Sequence, residues 1–271
     1  MTKTTNIFLL KLLLLLLFLI LIEGFLCQQM IAQKEVKQIF SFLPLKVCFN
    51  NFFLSFWGEN GAVENFQSIL LFLSIIILIY FTISYSAKNK LIYIFLILHI
   101  VGLIYYLGEE ISWGQHFFNW PTPEFFKFYN LQDETNIHNI SNIFDQFPRT
   151  LVLIWCCFSI PIILSANHFT NINKQAFFLI CPNKKLITIP IILIFFVLPD
   201  FIVDKLDLHP GGSKLMYLQK DAFLSSGYFY DLITFNFIRL SELHELIFCY
   251  YFFLYSIFSL ENLKIKNNNH K

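Results

Sequence analysis

Two adjacent carboxylates, a tryptophan, a glutamine and a histidine lie together in Gly108-Glu109-Glu110-Ile111-Ser112-Trp113-Gly114-Gln115-His116. A second polar stretch follows: Asn130-Leu131-Gln132-Asp133-Glu134-Thr135-Asn136-Ile137-His138-Asn139. Carboxylates and imidazoles in this mixture suit general acid–base chemistry, because burial and like-charge proximity drive their proton affinities apart. They are also the donors of a hard or borderline divalent metal site. Glu109 and Glu110 are the candidate base or ligand, with Glu134 and His138 as partners. Ser112, Trp113, Gln115, Asn130, Gln132, Asn136 and Asn139 are candidate binding groups. His116, His138 and His244, with Glu109 or Asp204, could complete a zinc set. Yet no HExxH, paired Cys/His spacing or nucleophile elbow occurs, so the ligand inventory names no metal and no reaction.

The elements that must position these groups are membrane helices. The first stretch directly follows an apolar run over residues 91–107. The chain of 271 residues is 56% hydrophobic and only 14% charged, with a mean hydropathy of +0.61. That is too little polarity to cover a soluble surface. A net charge of +1 excludes an electrostatic nucleic-acid binder. Six scattered cysteines make no disulfide framework. Cys156, Cys157 and Cys249 read as small core residues, while Cys27 and Cys48 share a loop and could pair.

Apolar runs of roughly 20 residues, enough to cross a bilayer, occur at 7–26, 66–85, 91–107, 151–166, 186–203 and 243–260. The expected fold is therefore an all-α polytopic bundle of about six spans, one integral membrane domain over 1–271 with a flexible tail at 263–271. The first run lacks a small-residue cleavage site and reads as an uncleaved span. Residues 27–65, 108–150 and 204–242 form long loops on one side. Lys and Arg are denser on the short-loop side, which predicts both termini in the cytoplasm.

With that parity the costly acidic groups share one rim, whichever way the chain is inserted. Glu59 and Glu64 precede the second span, and Glu109, Glu110 and His116 close the third. Asp145 precedes the fourth, Asp200 and Asp204 end the fifth, and Glu242, His244 and Glu245 open the sixth. Glu64, Asp200, Asp204, Glu242 and Glu245 are thus further candidate binding groups. A third span continuing past Gly108 would put Glu109, Ser112, Trp113 and His116 on one face and turn Glu110 elsewhere. Plainer roles compete. Carboxylates before a helix are often caps or dipole partners, and Trp57, Trp113 and Trp120 suit an interfacial belt. The rim could also be a structural lock, its carboxylates bonded to amides and to Arg149 or Arg239. His99, deep in the third span, would most simply bond a neighbouring helix.

The motif order Glu59-Asn60-Gly61…Glu64-Asn65, Glu109-Glu110-Ile111-Ser112-Trp113-Gly114-Gln115 and then Asn130 to Asn139 resembles a group of uncharacterised bacterial polytopic membrane proteins. Their stretches read roughly E-E-I-S-W-G-Q-R and N-x-Q-x-E-x-N-x-H-N. The resemblance covers about residues 55–145, with His116 where the group has arginine. It implies a bacterial inner-membrane location and functional weight on the motif residues, and no reaction. A looser similarity, to alkaline-ceramidase and progestin-receptor-like hydrolases, supplies only an analogy: Ser, Asp and His at helix ends around zinc. The expected function is a membrane-embedded enzyme acting on a lipid or lipid-linked substrate at an outward rim. The alternative is a non-enzymatic assembly partner or small-solute transporter.

Overall fold

The structure, a computed structural model, describes residues 61–85, 90–130, 134–138, 140–165, 181–205 and 240–268. The described part is all-helical, as expected. Two long helices, α1 (Ala62–Ser84) and α2 (Lys90–Glu110), lead to a 3-10 turn at Ser112–Gly114. Two short helices follow, α3 (Gln115–Phe118) and α4 (Glu124–Tyr129). Then come α5 (Asn142–Ser165), α6 (Thr188–Lys205) and α7 (Leu240–Asn268).

In α1, Val63, Gln67, Leu70, Leu71, Ser74, Ile75, Leu78, Phe81 and Thr82 are buried. They recur every three or four residues, which is one face of a helix. The opposite face is apolar too: Ile69, Phe72, Ile76, Ile79 and Ile83 are exposed. α2 repeats the pattern, with Ile92, Leu96, Ile100 and Leu103 buried and Leu91, Ile94, Leu98 and Val101 exposed. A water-facing helix would carry charge there. The few hydroxyls bond back to their own helix, Ser74 to the Leu70 carbonyl at 2.6 Å and Thr82 to that of Leu78 at 2.7 Å. Ala62–Ser84, Lys90–Glu110 and Glu242–Asn262 are each long and apolar enough to cross a membrane, and Phe147–Ile162 is a shorter apolar segment. The expected run at 7–26 and the Cys27–Cys48 loop lie outside the described residues.

The helices reach beyond their apolar runs. α5 begins at Asn142 rather than near residue 151, and α7 continues to Asn268, through much of the expected tail. Hydropathy registers only the apolar part of a helix, whereas hydrogen bonding carries the backbone on into polar sequence.

The chain forms two compact units. One joins Glu64–Ile191 with Glu245–Lys271, the other Met1–Val63 with Ile192–His244. In the first, α7 contributes an almost continuously buried surface, with Cys249, Tyr251, Leu254 and Tyr255 all enclosed. His99 of α2 sits in an aromatic box: Phe95, Trp155 of α5, and Phe252 and Tyr255 of α7 lie with ring centroids 5.2–5.6 Å from it. The neighbour expected for His99 is thus a set of ring faces, and its Nε2 makes no hydrogen bond among the described residues.

Candidate functional site

Glu109 occupies the last turn of α2, where a helix C-terminus repels a carboxylate. Such a residue needs donors close by, and the fold supplies four. Trp113 Nε1–H donates to Oε1 at 2.8 Å. The backbone N–H groups of Ile137 and His138 donate to Oε2 at 2.7 and 2.8 Å. The His138 ring brings Nδ1 to within 3.2 Å of the same oxygen. All four partners can donate, which is the environment of an ionised acceptor. Glu109 is 4% exposed, so the loop and the tryptophan enclose the charge.

The geometry depends on how the helix stops. Helical hydrogen bonding ends with the Ile111 N–H on the Leu107 carbonyl at 3.1 Å. Ser112, Trp113 and Gly114 then take positive φ, at 46°, 54° and 97°. Gly114 adopts that conformation freely; Ser112 and Trp113 cost about 1–3 kcal/mol each. The turn folds the indole back over Gly108, where an added Cβ would lie 2.9 Å from three ring atoms. The helix passes Gly108 but ends at Glu110, so an unbroken helix through Ser112, Trp113 and His116 is not what aligns these residues. Glu109 and Trp113 meet across a left-handed turn, and the His116 side chain lies outside the described residues.

A second tier of bonds holds the loop. Ser112, fully buried, donates from Oγ to Glu134 Oε2 at 3.1 Å and accepts from Asn136 Nδ2 at 3.2 Å. Asn136 Nδ2 also donates to Glu134 Oε2 at 2.6 Å. Asn130 closes the loop on itself, donating to the Glu134 carbonyl and to Asn136 Oδ1, both at 2.8 Å. Gln115 Oε1 accepts from the Thr135 N–H and hydroxyl, both at 2.7 Å, while its Nε2 donates to Thr122 Oγ1 at 2.8 Å. Eight of the sequence candidates therefore meet in one network: Glu109, Ser112, Trp113, Gln115, Asn130, Glu134, Asn136 and His138. Thr122, Thr135 and the Ile137 backbone were not foreseen. Only its place in the unbroken polar run Gln132–Asn136 hints at Thr135, and main-chain donors leave no residue-type signal.

A separate cluster lies in the same unit. Arg149 of α5 pairs with Glu245 of α7 at 2.5 Å, Glu245 being buried and Arg149 half-buried. The Tyr106 hydroxyl hydrogen-bonds Cys249, and Glu110 and Glu245 both act on it electrostatically. Glu110 thus lies within electrostatic reach of this cluster. Glu64 and Glu242 sit in the first turns of α1 and α7, where the helix dipole favours them. Gln132, Asn139 and the side chains of Asp145, Asp200 and Asp204 lie outside the described residues.

Chemically, the network is open at several side chains: Trp113 is exposed, and Gln115, Glu134, Thr135 and His138 are partly so. Glu109 is enclosed and Glu134 is engaged by Ser112 and Asn136, whereas the His138 side chain is 28% exposed. An imidazole that donates Nδ1–H to a buried carboxylate keeps Nε2 as its acceptor, the arrangement that fixes tautomer in catalytic and metal-binding histidines alike. A divalent ion would need more donors. Among the described residues no three His, Cys, Asp or Glu side chains are grouped to hold one. No protein-family model, curated protein or solved structure matches the chain.

Proposed function

We propose that this chain is a multi-pass integral membrane protein of a bacterial inner membrane, with both termini cytoplasmic, that acts on a lipid or lipid-linked substrate at one rim. The motif resemblance and the distribution of Lys and Arg support the location, and the apolar outer faces of α1 and α2 support immersion in lipid. His138 is the working group, accepting a proton or a ligand at Nε2. Glu109 is its positioning residue, and Ser112, Glu134, Asn136, Asn130 and Gln115 hold the loop that carries it. The observation behind this reading is the partly exposed His138 ring against the enclosed Glu109 carboxylate.

The test compares wild type with His138→Asn and His138→Gln in a bacterial host, measuring membrane abundance and whole-lipid mass spectra. Asn can still donate towards Glu109 but has nothing at the Nε2 position. A wild-type lipid change lost in H138N at equal abundance is the expected result. Identical lipid profiles with and without the imidazole would sink the enzymatic reading.

One observation favours a second reading, the non-enzymatic one. The carboxylate of Glu109 is fully engaged in holding chain to chain, and Arg149–Glu245 adds an ion pair between helices. A structural lock of this kind suits an assembly partner or small-solute transporter. Under that reading Glu109→Gln lowers abundance while H138N leaves function intact.

A further inference from the structure

Between the two halves of the network runs the segment Gln115–Tyr129, of which the site uses only Gln115 and Thr122. It is rich in aromatic residues, and its only acidic or basic side chains besides His116 are Glu124 and Lys127. Most of its large side chains do not pack into the protein: Phe118 is 76% exposed and Phe128 81%, and Phe117, Phe125 and Tyr129 are exposed as well, while Phe126 is half-buried. The segment is nevertheless ordered by its own bonds. Gln115 ties it to Thr122 and Thr135, the Lys127 N–H reaches the Pro123 carbonyl at 3.1 Å, and the Asn130 N–H reaches that of Phe126 at 2.7 Å.

The exposed aromatics continue the apolar outer surface of α2. Leu98 and Val101 lead along that helix to Tyr105, whose ring meets Trp113 with centroids 6.3 Å apart. Beside Trp113, a Cβ on Gly114 would touch Trp120 at 3.2 Å and Phe118 at 3.3 Å. Those two rings are themselves stacked, 5.7 Å apart and 7° from parallel. The surface changes from aliphatic on the helix to aromatic at its end, the change that marks passage from hydrocarbon to headgroup layer.

We infer that Gln115–Tyr129 is an interfacial platform, lying in the headgroup layer of a phospholipid bilayer with Phe117, Phe118, Phe125 and Phe128 inserted. The inference rests on the membrane reading of α2. Its consequence for the site is that Gln115, Thr122 and the loop bearing His138 are held at the lipid–water boundary, so a substrate reaches His138 from the bilayer.

Photo-crosslinking on the full chain tests this. Benzoylphenylalanine is placed singly at Leu98, Phe117 or Phe128, and the protein is reconstituted in vesicles of phosphatidylethanolamine and phosphatidylglycerol. Thermal transitions matching the parent certify folding; these positions are exposed, and Phe117 backs up Phe128. Phospholipid adducts at all three positions are expected. An adduct at Leu98 with none at Phe117 and Phe128, or protein–protein products from those two, overturns the platform while leaving α2 in the membrane. Absence of lipid adducts at all three positions overturns the membrane reading and the platform together.

Discussion

Glu109 and His138, 29 positions apart, meet twice: one carboxylate oxygen accepts the backbone N–H at 2.8 Å and lies 3.2 Å from the ring Nδ1. The contact joins the end of a membrane-length helix to the middle of a loop. It gives a carboxylate at an unfavourable helix terminus the positive ends of dipoles that the helix itself cannot offer. Removing or altering either residue should therefore have separable effects on fold and on chemistry.

Glu109→Gln puts an amide NH2 where one of the acceptor oxygens stands. Either the Trp113 indole or the two loop N–H groups lose their acceptor, a loss of about 1–3 kcal/mol for a buried unsatisfied group. Expected are a lower thermal transition in detergent and faster proteolysis within 130–140. A melting point and cleavage rate equal to wild type would show that the carboxylate is not what holds the loop.

Gly108→Ala drives a methyl group into the indole of Trp113, at 2.9 Å from Cδ2, Cε3 and Cζ3. Overpacking of this kind costs about 1–3 kcal/mol, and the displaced ring releases Glu109 Oε1. The double variant G108A/W113A should then be less destabilised than the sum of the single changes. Strict additivity in thermal denaturation would contradict the contact.

Ser112→Ala removes a donor to Glu134 and an acceptor for Asn136 in one step. A destabilisation of about 1–3 kcal/mol is expected for buried partners left unpaired. Asn136→Ala combined with S112A should cost little more than either alone, because the two act on the same carboxylate. Denaturant midpoints of the three variants check this.

Arg149→Met leaves Glu245 buried beside Tyr106 without its guanidinium. Losing one partner of a buried pair costs about 3–5 kcal/mol, and here the half-exposure of Arg149 brings the figure to the low end. Glu245→Gln added to R149M should recover part of it. If R149M alone accumulates and melts like wild type, the pair contributes nothing to stability.

Much of this was legible in the residues. Apolar runs of membrane length announce the helices, and the cost of placing Glu109 at a helix end calls for donors, a cation or a proton beside it, of which the structure shows donors. The lock alternative even named Arg149, which meets Glu245. What stayed hidden has physical causes. The left-handed Ser112 and Trp113 have no sequence signature, since only Gly114 belongs to a residue type that prefers such a backbone. The two backbone donors to Glu109 belong to no side chain. Glu110 sits next to Glu109 yet acts electrostatically on Tyr106, because successive residues on a helix point about 100° apart.

Two of the four bonds to Glu109 come from the main chain at positions 137 and 138, and a main-chain N–H is the same for every residue but proline. Two of the three bonds that moor the loop to Glu109 thus persist whatever side chain but proline stands at 138. Mutation at 138 can change the side chain presented there while these two bonds persist, whereas an exchange at 109 removes the acceptor that they share. Over evolutionary time the side chain at 138 would be free to vary while the loop keeps its shape.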